Sequence, residues 1–151
     1  MARALTLLIV LALTGCGASS TRCASKDAQG IVRALQPQEQ FRAMLEATTQ
    51  RTQTMIMALA QGGPGTKREL ARAVDAAVAR HGEEWKQNLV SSWSTLSPAE
   101  LEQVCTALNE RDQASFMRFA ERLGRDVQSR NEPLLKQAAA EVLEAVRPSA
   151  R

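Results

Sequence analysis

The chain has 151 residues, with 19 basic and 16 acidic side chains and a formal charge of +3. Such a balance excludes the strongly basic footprint of a nucleic-acid binder, and 15 of the basic residues are scattered arginines rather than a run. The length suits one domain with a sizeable core. Tyrosine is absent, Phe and Trp number three and two, and Ala, Leu, Glu, Gln and Arg abound, all good helix formers.

Met1-Ala2-Arg3 is a short basic start, and Ala4 to Leu13 is apolar apart from Thr6. About ten apolar residues suit the central region of a signal peptide. They are about half of the roughly 20 that a membrane-spanning helix needs. Leu13-Thr14-Gly15-Cys16 follows. An aliphatic residue and two small residues ahead of a cysteine resemble the lipobox of bacterial lipoprotein precursors. That resemblance implies that residues 1–15 are a cleaved signal peptide and that the Cys16 thiol takes a diacylglyceryl group. It further implies that the new amino group at Cys16 is acylated.

Each buried methylene contributes ~0.8 kcal/mol and a single chain anchors only marginally. Two or three chains on Cys16 would hold the protein to a membrane essentially permanently. In lipoproteins of double-membrane bacteria, an aspartate after the cysteine commonly signals inner-membrane retention. Gly17 stands there instead, so the resemblance implies the outer membrane, facing the periplasm. The alternatives are a secretory signal cut near Gly17 or Ala18, or an unprocessed helix.

Residues 16–25 read as a lipidated tether and 26–148 as a single helical domain. Gly17 to Ser25 is small and polar, and a stretch of that length spans at most ~30 Å. With Cys16 acylated, Cys23 and Cys105 remain. An exported chain meets an oxidising compartment, which suggests one disulfide closing a long loop. The alternative is a buried free thiol at Cys105, packed as a small hydrophobe on an apolar helix face.

Ser25 can cap a short helix to Gln36, weakened by Gly30 and ended by Pro37. The second expected helix is long, Gln38 to Gln61. Phe41, Met44, Leu45, Thr48, Thr52, Met55, Ile56 and Leu59 recur along it at three- and four-residue steps. Gly62-Gly63-Pro64-Gly65 should stop it. Thr66 to Glu69 has the form of a capping box and opens a third helix to Arg80, with His81-Gly82 as its end. Trp85, Leu89 and Trp93 stripe a fourth, from Glu83 to Thr95.

Ser97-Pro98-Ala99-Glu100 is a second capping box with proline at the first helical position. The helix it opens carries Leu101, Val104, Cys105 and Leu108 inward. Asn109 to Asp112 is a break, and Asp112 can cap a sixth helix to Arg130, bearing Phe116, Phe119, Leu123 and Val127. Glu132-Pro133 marks a boundary, and a seventh helix runs from Leu134 to Val146. No run alternates with period two. The expected fold is all-α, a small bundle of six or seven short antiparallel helices.

The Ser97 to Leu101 helix start, followed by a helix bearing Phe116 and Phe119, is similar to an uncharacterised all-helical domain of exported bacterial proteins. The similarity spans Trp85 to Val146. In that family a small turn with proline and glycine stands where this chain has Asn109-Glu110-Arg111-Asp112. The resemblance implies the fold and carries over no catalytic residue.

Candidate chemistry is sparse. His81 is the only histidine, and no Cys/His spacing suits a metal. At a helix end it should meet terminal carbonyls and the dipole. Cys105 with His81 is a poor nucleophile pair, since an apolar face does not favour a thiolate. Glu83-Glu84 and Glu141/Glu144 read as solvated carboxylates. Met44 and Met55 fall on the core stripe and Met57 off it. Trp85 and Trp93 read as core. Arg118, Arg122 and Arg125 form a ridge that Glu121 and Asp126 can neutralise.

The expectation is therefore a protein that is not an enzyme, with no catalytic residue, cofactor, metal or nucleic acid. It would be anchored to the membrane through the acyl groups on Cys16 and bind an envelope protein partner or aid envelope assembly. The alternative is a carrier or sensor that binds an apolar ligand between its helices, in a cavity lined by Met, Leu and Ala with a polar mouth.

Overall fold

The computed structural model describes residues 21–147. The signal sequence, the lipobox and Cys16 lie outside the described residues. Five helices follow in order: α1 (Ala28–Ala34), α2 (Pro37–Gln50), α3 (Gln53–Trp93), α4 (Pro98–Glu110) and α5 (Gln113–Ala145). There is no strand among the described residues. The expected all-α class holds, but the expected six or seven short helices become five, two of them long.

The first helix starts later than expected. Asp27, not Ser25, is its cap, and the Asp27 carboxylate accepts from the Gly30 amide at 2.7 Å while Ser25 Oγ donates to the same side chain at 2.6 Å. Gly30 is required by close approach, since a Cβ there would lie 1.9 Å from the Ser25 carbonyl oxygen. Gln36 sits in the left-handed region with φ 52, and Pro37 opens α2.

The long second helix of the sequence reading is cut at Arg51 and Thr52. Thr49 Oγ1 donates back to the Leu45 carbonyl at 2.9 Å, and Thr52 Oγ1 donates to the Thr49 carbonyl at 2.8 Å. Hydroxyls that satisfy the backbone locally compete with the helical ladder. Thr52 then caps α3 by accepting from the Met55 amide. This break resets the helical phase. Phe41, Leu45 and Thr49 face inward along α2, and Met55 and Ala58 do so along α3. Ile56, expected inside, is 51% exposed, and Met57 is 48% exposed.

The expected stop at the Gly-Pro cluster is a kink, across which α3 joins two helices. Gly63 alone leaves helical geometry, at φ 56 and ψ −147. Thr66 does not start a new helix with a capping box. It is buried within α3 over Gly62, where a Cβ would come 1.6 Å from Thr66 Oγ1. Helix also continues through His81-Gly82. Only the second expected capping box forms: Ser97 Oγ accepts from the Glu100 amide at 3.3 Å, and the Glu100 carboxylate accepts from the Ser97 amide at 2.8 Å. Arg111 makes the turn out of α4 in the left-handed region, φ 58, and Asp112 caps α5.

α5 passes through Pro133, where two helices were expected. Proline removes a donor from the ladder and strands carbonyls in the preceding turn. The carbonyl left without its amide is that of Ser129, and at the next carbonyl, Arg130, Asn88 Nδ2 of α3 donates at 3.2 Å and ties this turn to α3. Packing across the α3–α5 face overrides the local boundary signal.

α3 is the spine, packed on α1, α2 and α5, while α4 packs on α1 and α5. One buried apolar cluster runs from Cys23 to Val146. Phe41 stacks on Trp85 with ring centroids 4.8 Å apart, and Trp93 on Phe116 at 5.8 Å. The expected inward placement of Trp85, Leu89 and Trp93 is what the structure has.

Candidate functional site

A cleft of about 60 Å³ opens where the end of α1, the start of α2, the last turns of α3 and the first two-thirds of α5 meet. Trp85, Leu89 and Trp93 form its α3 wall, and Phe116, Ala120, Leu123 and Val127 much of its α5 wall. Leu35 and Met44 contribute from the other side. Four polar side chains interrupt this apolar lining: Gln40, Gln128, Asn131 and Glu132.

The Glu132 carboxylate accepts from Lys136 Nζ at 2.6 Å and from Gln128 Nε2 at 3.2 Å. Lys136 first, and Gln128 after it, hold the carboxyl below its usual range. Asn131 is different. It sits on the apolar stripe of α5 and is 3% exposed. Its Oδ1 and Nδ2, together with Nε1 of the equally buried Trp85, have no hydrogen-bond partner among the described residues. Both residues line the cleft. Sequence reasoning missed Asn131. The available signal was a poor helix former on a stripe of apolar residues, one turn after Val127.

A second cluster joins α3 to α5. His81 is buried at 6% and does not meet terminal carbonyls as expected, because α3 runs past it. Its Nε2 lies 3.0 Å from both oxygens of Glu141, so that nitrogen carries the hydrogen and the carboxylate accepts. Arg80 also pairs with Glu141, and Gln137 donates to it at 3.3 Å. Glu141 is thus an interhelical partner and not the free solvated carboxylate expected.

The hydrogen bond from His81 is the main cause holding the Glu141 carboxyl below the usual carboxylate range. A depressed carboxyl contributes stability above its unfolded pKa and loses it as pH falls through the folded value. Glu141→Gln is therefore expected to lower the melting temperature at pH 7. The gap between variant and parent should narrow below pH 4.5, and a gap that stays constant to pH 3 would contradict this assignment.

Cys23 and Cys105 form a disulfide with Cα atoms 5.4 Å apart. The free-thiol alternative for Cys105 is excluded. Asn109 reinforces the bridge from the same helix: its Oδ1 accepts from the Cys23 amide at 2.9 Å and its Nδ2 donates to the Cys23 carbonyl at 3.0 Å. The arginine ridge is divided among partners other than those expected. Arg122 pairs with Glu100 at 2.7 Å and lies over the Phe119 ring, and Arg118 donates to Ser115. Asp126 accepts from Arg130 at 2.9 Å and from the buried Ser92 at 2.6 Å.

No group of three or more His, Cys, Asp or Glu side chains could hold a metal ion among the described residues. Within the same residues no helix is long and apolar enough to cross a membrane. A scan against protein-family models finds no match, and neither curated proteins nor solved structures include a significant match to this chain.

Proposed function

We propose that this chain is a lipid-anchored, non-enzymatic binding protein of the bacterial envelope, acting on a protein partner or in envelope assembly. The observation that carries this reading is Leu13-Thr14-Gly15-Cys16 behind an apolar stretch of signal-peptide length. Residues 1–15 are the cleaved signal, 16–25 the tether and 26–148 the periplasmic body, with the outer membrane as its location. The Cys23–Cys105 bridge supports export, because disulfides persist in oxidising compartments. It also shortens the tether. The chain is clamped at Cys23, so the body stands within roughly 25 Å of an anchor at Cys16. The only histidine, His81, is buried against Glu141 and is not among the residues that line the cleft.

Fractionation tests the anchor. Cys16→Ser is expected to move the protein from the membrane pellet to the soluble periplasmic fraction. Unchanged pelleting of the variant, or an intact mass without acyl groups on the parent, would refute it.

A second reading is favoured by the cleft: a carrier or sensor for a largely apolar ligand, bound between α2, α3 and α5. Leu35, Met44, Leu89, Ala120 and Leu123 line it with Gln40, Gln128 and Glu132 among them, an apolar surface carrying a few polar groups of the kind that small-molecule sites present.

A further inference from the structure

Resting on the lipid-anchor reading, we propose that the first segment of α3 dips into an anionic phospholipid surface, giving the body a second membrane contact besides Cys16. Ile56 and Met57 are the large apolar side chains that the fold leaves exposed, at 51% and 48%. Gln53, Ile56, Met57 and Ala60 are all exposed and recur at the three- and four-residue steps of one helix face. Met55 and Ala58, both buried, hold the segment to the core from the opposite face. From Thr52 to Thr66 no side chain is charged, the longest such stretch among the described residues. Entry of this face into the lipid head-group region therefore strips no ion of its water.

Charge decides the occupant. Arg51 precedes the uncharged stretch, and Lys67, Arg68 and Arg72 follow it, all four exposed. Lys67 and Arg68 stand about one turn beyond the Gly63 kink. None of the four makes an ion pair among the described residues, whereas Arg42 is paired with Asp75. Glu46 and Glu69 are the unpaired acids between Arg42 and Asp75, so four free cations stand against two acids. An apolar tip flanked by cations is complementary to a bilayer with anionic head groups, where each Lys or Arg near the surface strengthens binding about fivefold. Two half-exposed side chains fall far short of the roughly 800 Å² that each side of a stable protein interface buries.

The tether leaves the body elsewhere. Cys23 is bonded to Cys105 of α4, and α4 leads on from the other end of α3. From Lys67 to Trp93 that helix rises about 40 Å. Contacts at both places lay α3 along the bilayer instead of upright on it.

The test uses the mature chain from residue 16 with Cys16→Ser, so that no acyl group contributes. It is sedimented with vesicles of phosphatidylethanolamine and phosphatidylglycerol, and with vesicles of phosphatidylcholine alone. The chain is expected to pellet with the anionic vesicles at low salt, to be released by high salt, and to bind phosphatidylcholine at least about tenfold more weakly. Ile56→Ser with Met57→Ser should weaken binding to anionic vesicles about tenfold, and Lys67→Gln with Arg68→Gln at least about fivefold. All four positions are exposed, so both double variants should melt as the parent does. Met57 is the one exposed methionine among the described residues, and its oxidation by peroxide should slow on anionic vesicles alone. Binding that survives Ile56→Ser with Met57→Ser overturns the proposal, as does the absence of binding to anionic vesicles, and both results leave the Cys16 anchor to its own fractionation test. Equal binding to the two vesicle types overturns the anionic assignment. A dimer in vesicle-free solution that Ile56→Ser with Met57→Ser turns into a monomer overturns the proposal in favour of a second copy of the chain.

Discussion

Reduction of the Cys23–Cys105 disulfide is expected to lower the unfolding free energy by about 4–5 kcal/mol, because the bridge closes a loop of 82 residues. For a body of this length the loss corresponds to a fall in melting temperature of roughly 15 °C. The bridge constrains the unfolded chain more than it supports the folded one. Asn109 still holds both backbone groups of Cys23 when the sulfurs part. The reduced protein should therefore keep its helical signal and its tryptophan environment at low temperature. The measurement is a pair of thermal melts with and without reductant, beside a Cys23→Ser, Cys105→Ser double variant. Both reduced protein and double variant should melt together, well below the parent. An unchanged melting temperature, with both thiols titrating as free, would show that loop closure contributes nothing here.

Legibility followed how local each cause was. Ser97 and Glu100 announce the start of α4 because both halves of the capping box lie within three residues, and both bonds form. Pro133 announces a boundary just as plainly, yet α5 crosses it. Its counterweight is Asn88, 42 residues earlier, whose amide reaches the Arg130 carbonyl. No window around Pro133 contains that information. His81-Gly82 misled in the same way. The pair resembles a helix end only while Glu141, 60 residues away, is out of view.

The cleft shows the other side of this rule. Its walls were readable as stripes: Trp85, Leu89 and Trp93 on one helix, Phe116 and Leu123 on another. Which stripe residues leave a gap between them was not readable, because a void is a property of facing surfaces. Asn131 is a conflict between local chemistry and burial of the kind that functional sites retain. Cys23 and Cys105 were readable as a pair only because export would leave them as the two free cysteines, so the bridge was as legible as the signal sequence itself.

Phe41 and Ile56 give the sharpest separation between the sequence periodicity and the fold. Both fall on one continuous stripe if the second helix runs unbroken to Gln61. In the structure Phe41 is fully buried and stacked on Trp85, whereas Ile56 is 51% exposed. The cause is the pair of hydroxyls at Thr49 and Thr52, which end one helix and cap the next. Phe41→Ala is expected to cost about 3–5 kcal/mol, the range for deleting a buried aromatic ring, and to shift the emission of Trp85. Ile56→Ala should change stability by no more than about 0.5 kcal/mol, as exposed substitutions do. Thr52→Ala removes the cap and should cost about 1 kcal/mol. Chemical denaturation of the three variants decides the matter. A loss at Ile56 that approached the loss at Phe41 would mean that the helix continues through Thr52 and that residue 56 packs in the core.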